Sequence, residues 1–299
     1  MTVNVSVNGV IVVDKPAGCT SHDVVNRLRR IAQTRRIGHL GTLDPMATGV
    51  LPLILGRATR LAQFFRTNDK KYDAVVRFGL TTDSYDREGK VTATSPGFTI
   101  DRDGLEKALE AYRGPFLQAP PPVSAKKIKG VPAYKLARKN VPVELQPVEV
   151  TVFSLDLLAI TKDTARLQVH CSGGTYIRSI AHDLGQRLGC GAIIDRLRRT
   201  ASGDFGENQA HTIEDLELLS EHGLLSDALI PAAQLLPHIP SEIVDDLTVG
   251  QIRQGRDFRV SPFRSHDGQR LIKAVTADGE LIAIGEAKLP NVYHPVLVL

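Results

Sequence analysis

The chain has 299 residues, 42% of them hydrophobic and 23% charged, with a formal net charge of +4. This is the composition of a folded globular protein and excludes bulk disorder and collagen-like repeats. No apolar run reaches the roughly 18 residues a spanning helix needs, so no membrane is expected. Residues 1–16 lack the basic and apolar regions of a secretory signal, and the three cysteines form no CxxC pair. A disulfide framework and a zinc ribbon are therefore disfavoured, and a reducing cytoplasm is the expected compartment.

Along the chain, residues 8–13 form a short apolar strand candidate. Ser21 can cap a helix running to about residue 33, with Asp23 in its first turn. Val24, Val25, Leu28, Ile31 and Ala32 share one helical face, with Asn26, Arg27 and Arg30 largely off it. Residues 38–49 are a loop with three glycines and Pro45. Residues 50–55 read as a buried strand and 58–65 as a short helix. Tyr72, Ala74, Val76 and Phe78 alternate with their neighbours as in a half-buried strand. Asp101 or Asp103 caps a helix whose stripe is Leu105, Ala108, Leu109 and Tyr112.

The proline-rich, basic stretch 115–147, with a short helical piece near 133–138, is too long for an ordinary connection and points to a functional insertion. Residues 148–160 and 165–172 read as paired strands. Gly173 and Gly174 end the pairing and lead into a helix over about 176–188, with Ile177, Ile180, Ala181, Leu184 and Leu188 facing inward. Pro231, Pro237 and Pro240 mark a linker, and the tail from residue 241 reads as a small all-β module.

Charge is unevenly distributed. No acid occurs between Asp23 and Asp44, where Arg27, Arg29, Arg30, Arg35 and Arg36 lie. None occurs over 115–143, which carries Lys126, Lys127, Lys129, Lys135, Arg138 and Lys139. Arg196, Arg198 and Arg199 form a third cluster. One such block is ordinarily a solvated face; three in a chain of modest net charge favour a nucleic acid partner.

Within the 38–49 loop, Pro45 biases Asp44 toward an extended conformation. A carboxylate on a stiff loop after an arginine-rich helix can act as nucleophile or general base beside a polyanion. By itself an Asp-Pro pair reads more readily as an Asx-turn, in which Asp44 merely bonds nearby amides. No Gly-Lys-Ser/Thr follows the glycines, and HExxH, GxSxG and GxGxxG are absent, so a nucleotide loop, a zinc site and common hydrolase or dinucleotide motifs are disfavoured. No metal and no cofactor are expected. A second carboxylate for glycosidase chemistry is not evident.

Ten ordered segments over roughly the first 200 residues resemble the bacterial tRNA pseudouridine-55 synthase family, the TruB-type pseudouridine synthases. They include Asp14-Lys15-Pro16, Thr20-Ser21-His22-Asp23, the 38–49 loop with Val50-Leu51-Pro52, and Asp69-Lys70-Lys71-Tyr72. Further on come Thr82-Asp83-Ser84-Tyr85-Asp86 with Gly89, Pro121-Pro122, Tyr134 with Ala137-Arg138, the run Cys171 to Ser179, Asp183-Leu184-Gly185, and Leu197-Arg198-Arg199. Leu40 stands where bacterial members often carry a small or polar residue. Gly250, Gly255, Gly279 and Pro295-Val296-Leu297 resemble, more weakly, the PUA module, a small RNA-binding β-barrel.

The resemblance implies an α+β pseudouridine synthase fold. A central, mainly antiparallel mixed sheet would be flanked by helices and loops, with a small C-terminal PUA-like β-barrel. It implies a catalytic domain over 1–235 containing the basic insertion 115–147, and a PUA-like domain over 241–299. It implies isomerisation of a T-loop uridine of tRNA by a stand-alone monomer without guide RNA. Asp44 matches the catalytic aspartate and Arg178 the arginine that pairs with it. A partner for Arg178 also follows from its place at a helix start, where the dipole disfavours a cation. Tyr72 matches the tyrosine that stacks on uracil, His39 the residue packing on the extruded nucleotide, and Tyr176 and Leu197 the pocket lining. Lys15 and Pro16 would shape the neighbouring wall. Arg27, Arg30, Lys126, Lys127, Lys129 and Arg138 would grip RNA phosphates, and the terminal module would touch the acceptor end. The competing readings are a non-catalytic RNA-binding or tRNA-folding protein and an RNA-guided synthase subunit.

Overall fold

The computed structural model describes residues 7–123, 127–128, 131–132, 146–260 and 269–299, without side chains at 127–128 and 131–132. Lys126, Lys129 and Arg138, and the helical piece expected near 133–138, lie outside the described residues, as does the side chain of Lys127.

The chain opens with β1 (Gly9–Lys15), whose Ile11 and Val13 enter one core cluster and Val10 and Val12 another, so the strand is covered on both faces. Helix α1 (Ser21–Ile31), β2 (Ile37–His39) and β3 (Thr48–Leu55) follow, then a 3-10 helix (Gly56–Phe65) and β4 (Lys70–Phe78). A hairpin of β5 (Leu80–Thr82) and β6 (Val91–Thr94) precedes α2 (Arg102–Leu109), capped by Asp101, and β7 (Gly114–Gln118). The two-residue strands β8 (Lys127–Ile128) and β9 (Val131–Pro132) pair with each other. Next come β10 (Val148–Ile160), β11 (Thr164–Cys171), α3 (Ile177–Arg187), β12 (Ala192–Ser202), β13 (Phe205–Gly206), β14 (Ala210–His211), α4 (Ile213–Glu221) and β15 (Ile230–Pro231).

These strands build one sheet in the order β14-β1-β3-β12-β4-β11-β10-β7, with β2, β13 and β15 paired beside that path. Pairing is parallel at β1–β14 and β3–β12 and antiparallel elsewhere, the mixed α+β architecture expected. The β3–β12 contact is short: Thr48 faces Arg198 and Gly49 faces Arg199. Gly49 has φ +98°, and a Cβ there would stand 2.2 Å from the Arg199 carbonyl, so only glycine lets the two strands meet. One face of the sheet packs on residues of all four helices, including Leu28, Leu105, Leu184 and Leu216. The other face packs Val10, Val12 and Ile54 against the 3-10 helix and C-terminal residues including Leu235, Val275 and Leu297.

The C-terminal part consists of β16 (Ser241–Ile243), α5 (Asp246–Arg253), β17 (Phe258–Arg259), β18 (Leu271–Val275), β19 (Leu281–Leu289) and β20 (Val292–Val298). Its sheet runs β16-β18-β19-β20-β17, and its end strands β16 and β17 do not pair with each other among the described residues. It is therefore an open half-barrel rather than a closed barrel. It is also not all-β, because Asp245 caps α5 and Val249 and Ile252 bury its inner face. Residues 231–240, read as a linker from their prolines, are packed down through Leu235, Leu236 and Ile239.

Three local expectations shift. Residues 115–118 belong to β7 and pair with β10, so a regular strand extends into the start of the expected insertion. Residues 58–65 form a 3-10 helix. The α1 cap is Thr20, whose hydroxyl accepts from Asp23 N while the Asp23 carboxylate accepts from Thr20 N, a capping box. Ser21 is buried, and its hydroxyl instead accepts from Leu43 N (2.8 Å) and donates to Leu43 O (3.1 Å). Thr20→Ala should lower the unfolding free energy by about 1 kcal/mol in a urea titration, without altering the m-value.

Candidate active site

A cavity of about 610 Å³ opens beside the β3–β12 contact, and His39, Asp44, Tyr72, Tyr176, Arg178 and Leu197 all line it. Each arrives for a local reason. His39 ends β2. Asp44 sits on the turn into β3, where its backbone carbonyl accepts from Ala47 N (3.1 Å). Tyr72 lies on the inward face of β4, whose alternate residues are buried. Tyr176 precedes α3 and is held by Gln118, which accepts from Tyr176 N (2.8 Å) and donates to Tyr176 O (3.0 Å). Leu197 projects from β12. The Gly173–Gly174 turn brings this wall close: Gly174 has φ +93°, and a Cβ on Gly173 would stand 2.9 Å from the carbonyls of Arg66 and Asn68.

The Asp44 carboxylate is not absorbed in its own turn. Arg178 Nε donates to Oδ2 (2.9 Å) and Nη2 to Oδ1 (2.8 Å), a bidentate pair across 134 residues of sequence. Arg178 is 4% exposed, whereas the Asp44 side chain is 32% exposed toward the cavity. Behind Arg178, Nη1 donates to the Ser84 carbonyl (2.8 Å) and lies 3.4 Å from Asp86 Oδ2, and Nη2 also donates to the Val123 carbonyl (3.0 Å). Asp86 is buried and accepts from Ser84 Oγ (2.6 Å) and Glu88 N (3.0 Å). Tyr85, at φ +64°, stacks on His182 one turn beyond Arg178, with ring centroids 3.7 Å apart.

Three further buried cations surround the loop. Lys15 Nζ donates to the carbonyls of Pro16, Pro45 and Ala47. Arg199 donates to those of Val50, Thr42 and Gly41. Lys70 lines the cavity and donates to Asn68 O (2.7 Å). Burial, with Arg199 nearby, pushes Lys70 down to about 8. Burial also lowers Lys15 and raises the Tyr72 phenol, which stays protonated at neutral pH; His39 is lowered by burial, then by Arg199. Cys171 is raised to about 11 by burial, the behaviour of an inert core thiol.

The family model described as TruB family pseudouridylate synthase (N terminal domain) matches residues 29–177, and that of the tRNA pseudouridylate synthase B C-terminal domain matches residues 178–236. The chain belongs to the TruB family of pseudouridylate synthases. It is 59% identical to the tRNA pseudouridine synthase B of Solibacter usitatus over 98% of this chain and 100% of that protein. It is 45% identical to the protein of the same name from Syntrophotalea carbinolica, over 78% of this chain and 76% of that one. Among solved structures, a chain of a Cbf5-Nop10-Gar1 complex aligns with a TM-score of 0.70 at 27% identity, covering 98% of this chain and 84% of that chain. This TruB-family chain is thus an isomerase of the pseudouridine synthase class.

The expected phosphate-gripping residues are less uniform. Arg27 and Arg30 are exposed on α1, but Arg29 is turned inward to Asn26 Oδ1 and the Ile37 carbonyl. The third basic cluster is mixed: Arg196 is exposed, Arg198 is half-buried and paired with Asp14 and Glu207, and Arg199 is buried. Lys15 does not line the cavity; it supports the Asp44 loop from behind. Asp86, Lys70 and Arg199 were not singled out for the site in the sequence. Each nevertheless lies in a matched segment: Lys70 in Asp69–Tyr72, Asp86 at the end of Thr82–Asp86, and Arg199 at the end of Leu197–Arg199.

Asp86→Asn removes the charge behind Arg178 while leaving Asp44 in place. It should lower turnover about tenfold to a hundredfold by letting the guanidinium shift, with RNA affinity little changed; single-turnover rates beside binding curves check this. Lys70 carries its charge below about pH 8 and loses it above. RNA affinity should therefore weaken as pH rises through about 8, and Lys70→Met should flatten that portion of the profile. The stability sign is opposite. The unfolded lysine keeps its proton up to its ordinary value of 10.5, so this group makes folding more favourable as pH rises from about 8 toward that value.

Proposed function

We propose that this chain converts a uridine in the T loop of tRNA to pseudouridine, acting alone in the cytoplasm as a monomer. The observation that carries the reading is the Asp44 carboxylate, gripped by Arg178 and facing a cavity lined by Tyr72, His39, Tyr176 and Leu197. The names of these relatives support tRNA as the substrate.

The reaction breaks the bond from ribose C1′ to uracil N1 and joins C1′ to C5. A proton leaves C5 and N1 gains one, so no electrons are exchanged. Asp44 supplies an oxygen to the base or the sugar, and the bidentate pair with Arg178 keeps it aimed. Tyr72, protonated in its buried site, packs on the uracil plane, while Tyr176 and Leu197 close the pocket around it. The uridine reaches this pocket only if it leaves its stack, at a cost of a few kcal/mol, and His39 fills against the extruded nucleotide. Arg27 and Arg30 on α1, together with Lys126, Lys127, Lys129 and Arg138 in the basic insertion, grip the T-arm phosphates. The catalytic domain extends over 1–235 with its insertion at 115–147. Residues 241–299 act as a PUA-like module on the acceptor end, for which the half-barrel is a suitable frame.

Purified protein should convert one T-loop uridine of an unmodified tRNA transcript, read by tritium release from C5-labelled uridine and by position mapping. Asp44→Asn should abolish turnover and leave tRNA binding intact. A requirement for added guide RNA would instead favour the guided alternative, and normal function of Asp44→Asn a non-catalytic tRNA-folding role.

A further inference from the structure

The 3-10 helix Gly56–Phe65 is ten residues long. Its three-residue turn aligns side chains at i and i+3, about 6 Å apart at a rise of about 2 Å per residue. Exposure follows that period. Ala58 and Leu61 are buried, whereas Arg57, Arg60 and Gln63 are exposed, and Arg66, just past the helix, continues the row. Three arginines and one glutamine thus form a single ridge.

The ridge has two defined ends. At one, Arg66 lines the catalytic cavity together with Ala62 and Phe65 of the same segment. At the other, Arg57 and Arg60 border a hollow of about 490 Å³ with Arg36, which follows α1, and Arg253 of α5. A hollow of about 390 Å³ containing Arg60, Gln63, Arg66 and Leu297 lies between them. Arg60 Nη1 donates to the Val298 carbonyl and Arg36 Nε to Thr59 Oγ1 (3.2 Å). Among the described residues, no carboxylate lies within ion-pairing distance of Arg36, Arg57, Arg60, Arg66 or Arg253.

We propose that this ridge is a phosphate track for one RNA strand. The strand leaves the catalytic cavity past Arg66, runs along Arg60 and Arg57, and ends in the four-arginine hollow against the C-terminal half-barrel. This inference rests on the reading of the substrate as RNA. The rung spacing is of the order of the separation between successive phosphates, and guanidinium groups without internal counter-charges are suited to bind them in pairs of hydrogen bonds. The C-terminal residues then act as one wall of the RNA path rather than as a separate attachment.

The test is binding of a labelled tRNA transcript over a series of salt concentrations, for the parent chain, Arg57→Gln, Arg57→Gln with Arg60→Gln, and Gln63→Arg. Each lost rung should raise Kd several-fold and flatten the plot of log Kd against log salt by about 0.7 to 0.9. Gln63→Arg should lower Kd and steepen the plot by a similar amount. It is the arm that removes no existing contact, such as that of Arg60 with Val298. Unchanged slopes in all three variants, beside a parent that makes pseudouridine, overturn the track and leave the assigned activity standing. Shifted slopes beside a parent inactive on tRNA support the track and overturn the activity.

Discussion

Arg178 is held between two carboxylates, and the geometry of the candidate site follows from that placement. Its guanidinium gives one edge to Asp44, and the remaining hydrogen bonds go to Ser84 and Val123, with Asp86 beside them. A cation at the second position of α3 opposes the helix dipole, and a buried charge is costly unless neutralised. Asp44 and Asp86 together meet both requirements and leave the trio with one net negative charge, on the side facing the cavity. The rest of the sheet brings its members together: Asp44 before β3, Asp86 after β5, and Arg178 after the turn that ends β11.

Lys15, Lys70 and Arg199 solve burial differently. They point at peptide carbonyls instead of carboxylates, and two of them fasten the Asp44 loop at both flanks: Lys15 to Pro45 and Ala47, Arg199 to Gly41 and Thr42. Among the described residues none of the three is in a direct ion pair, and together they place three buried cations around the candidate site. Loop rigidity and buried positive charge thus come from the same side chains.

Periodicity made much of the fold legible. The alternation at Tyr72–Phe78 appears as β4, the apolar stripes at 24–28 and 105–112 are buried, and the Gly173–Gly174 break stands between β11 and α3. Six pocket residues were named through a family motif and share one cavity. Their meeting could not follow from spacing alone, since Asp44 and Arg178 are 134 positions apart. Charge blocks were read by counting along the chain, which cannot show that Arg29 turns inward or that Arg198 finds Asp14 on another strand. A short helix also looks alike at 3.0 or 3.6 residues per turn, so the ridge of Arg57, Arg60 and Arg66 was invisible. The Thr20–Asp23 box and the α5 cap are recognisable only after the fact, because adjacent Thr20 and Ser21 are equally good caps and the C-terminal glycines suggested strands.

The short parallel junction between β3 and β12 divides the large sheet into two halves, with Asp44 carried by one and Tyr72 and Arg178 by the other. A ladder this brief is the natural place for the molecule to breathe. Arg199 stands on β12 at that junction and reaches across to Val50, Thr42 and Gly41 on the opposite half. It acts as a rivet where the woven backbone is thinnest. Any loosening of it would be felt as drift of the Asp44 carboxylate relative to the Tyr72 ring, long before the domain itself began to unfold.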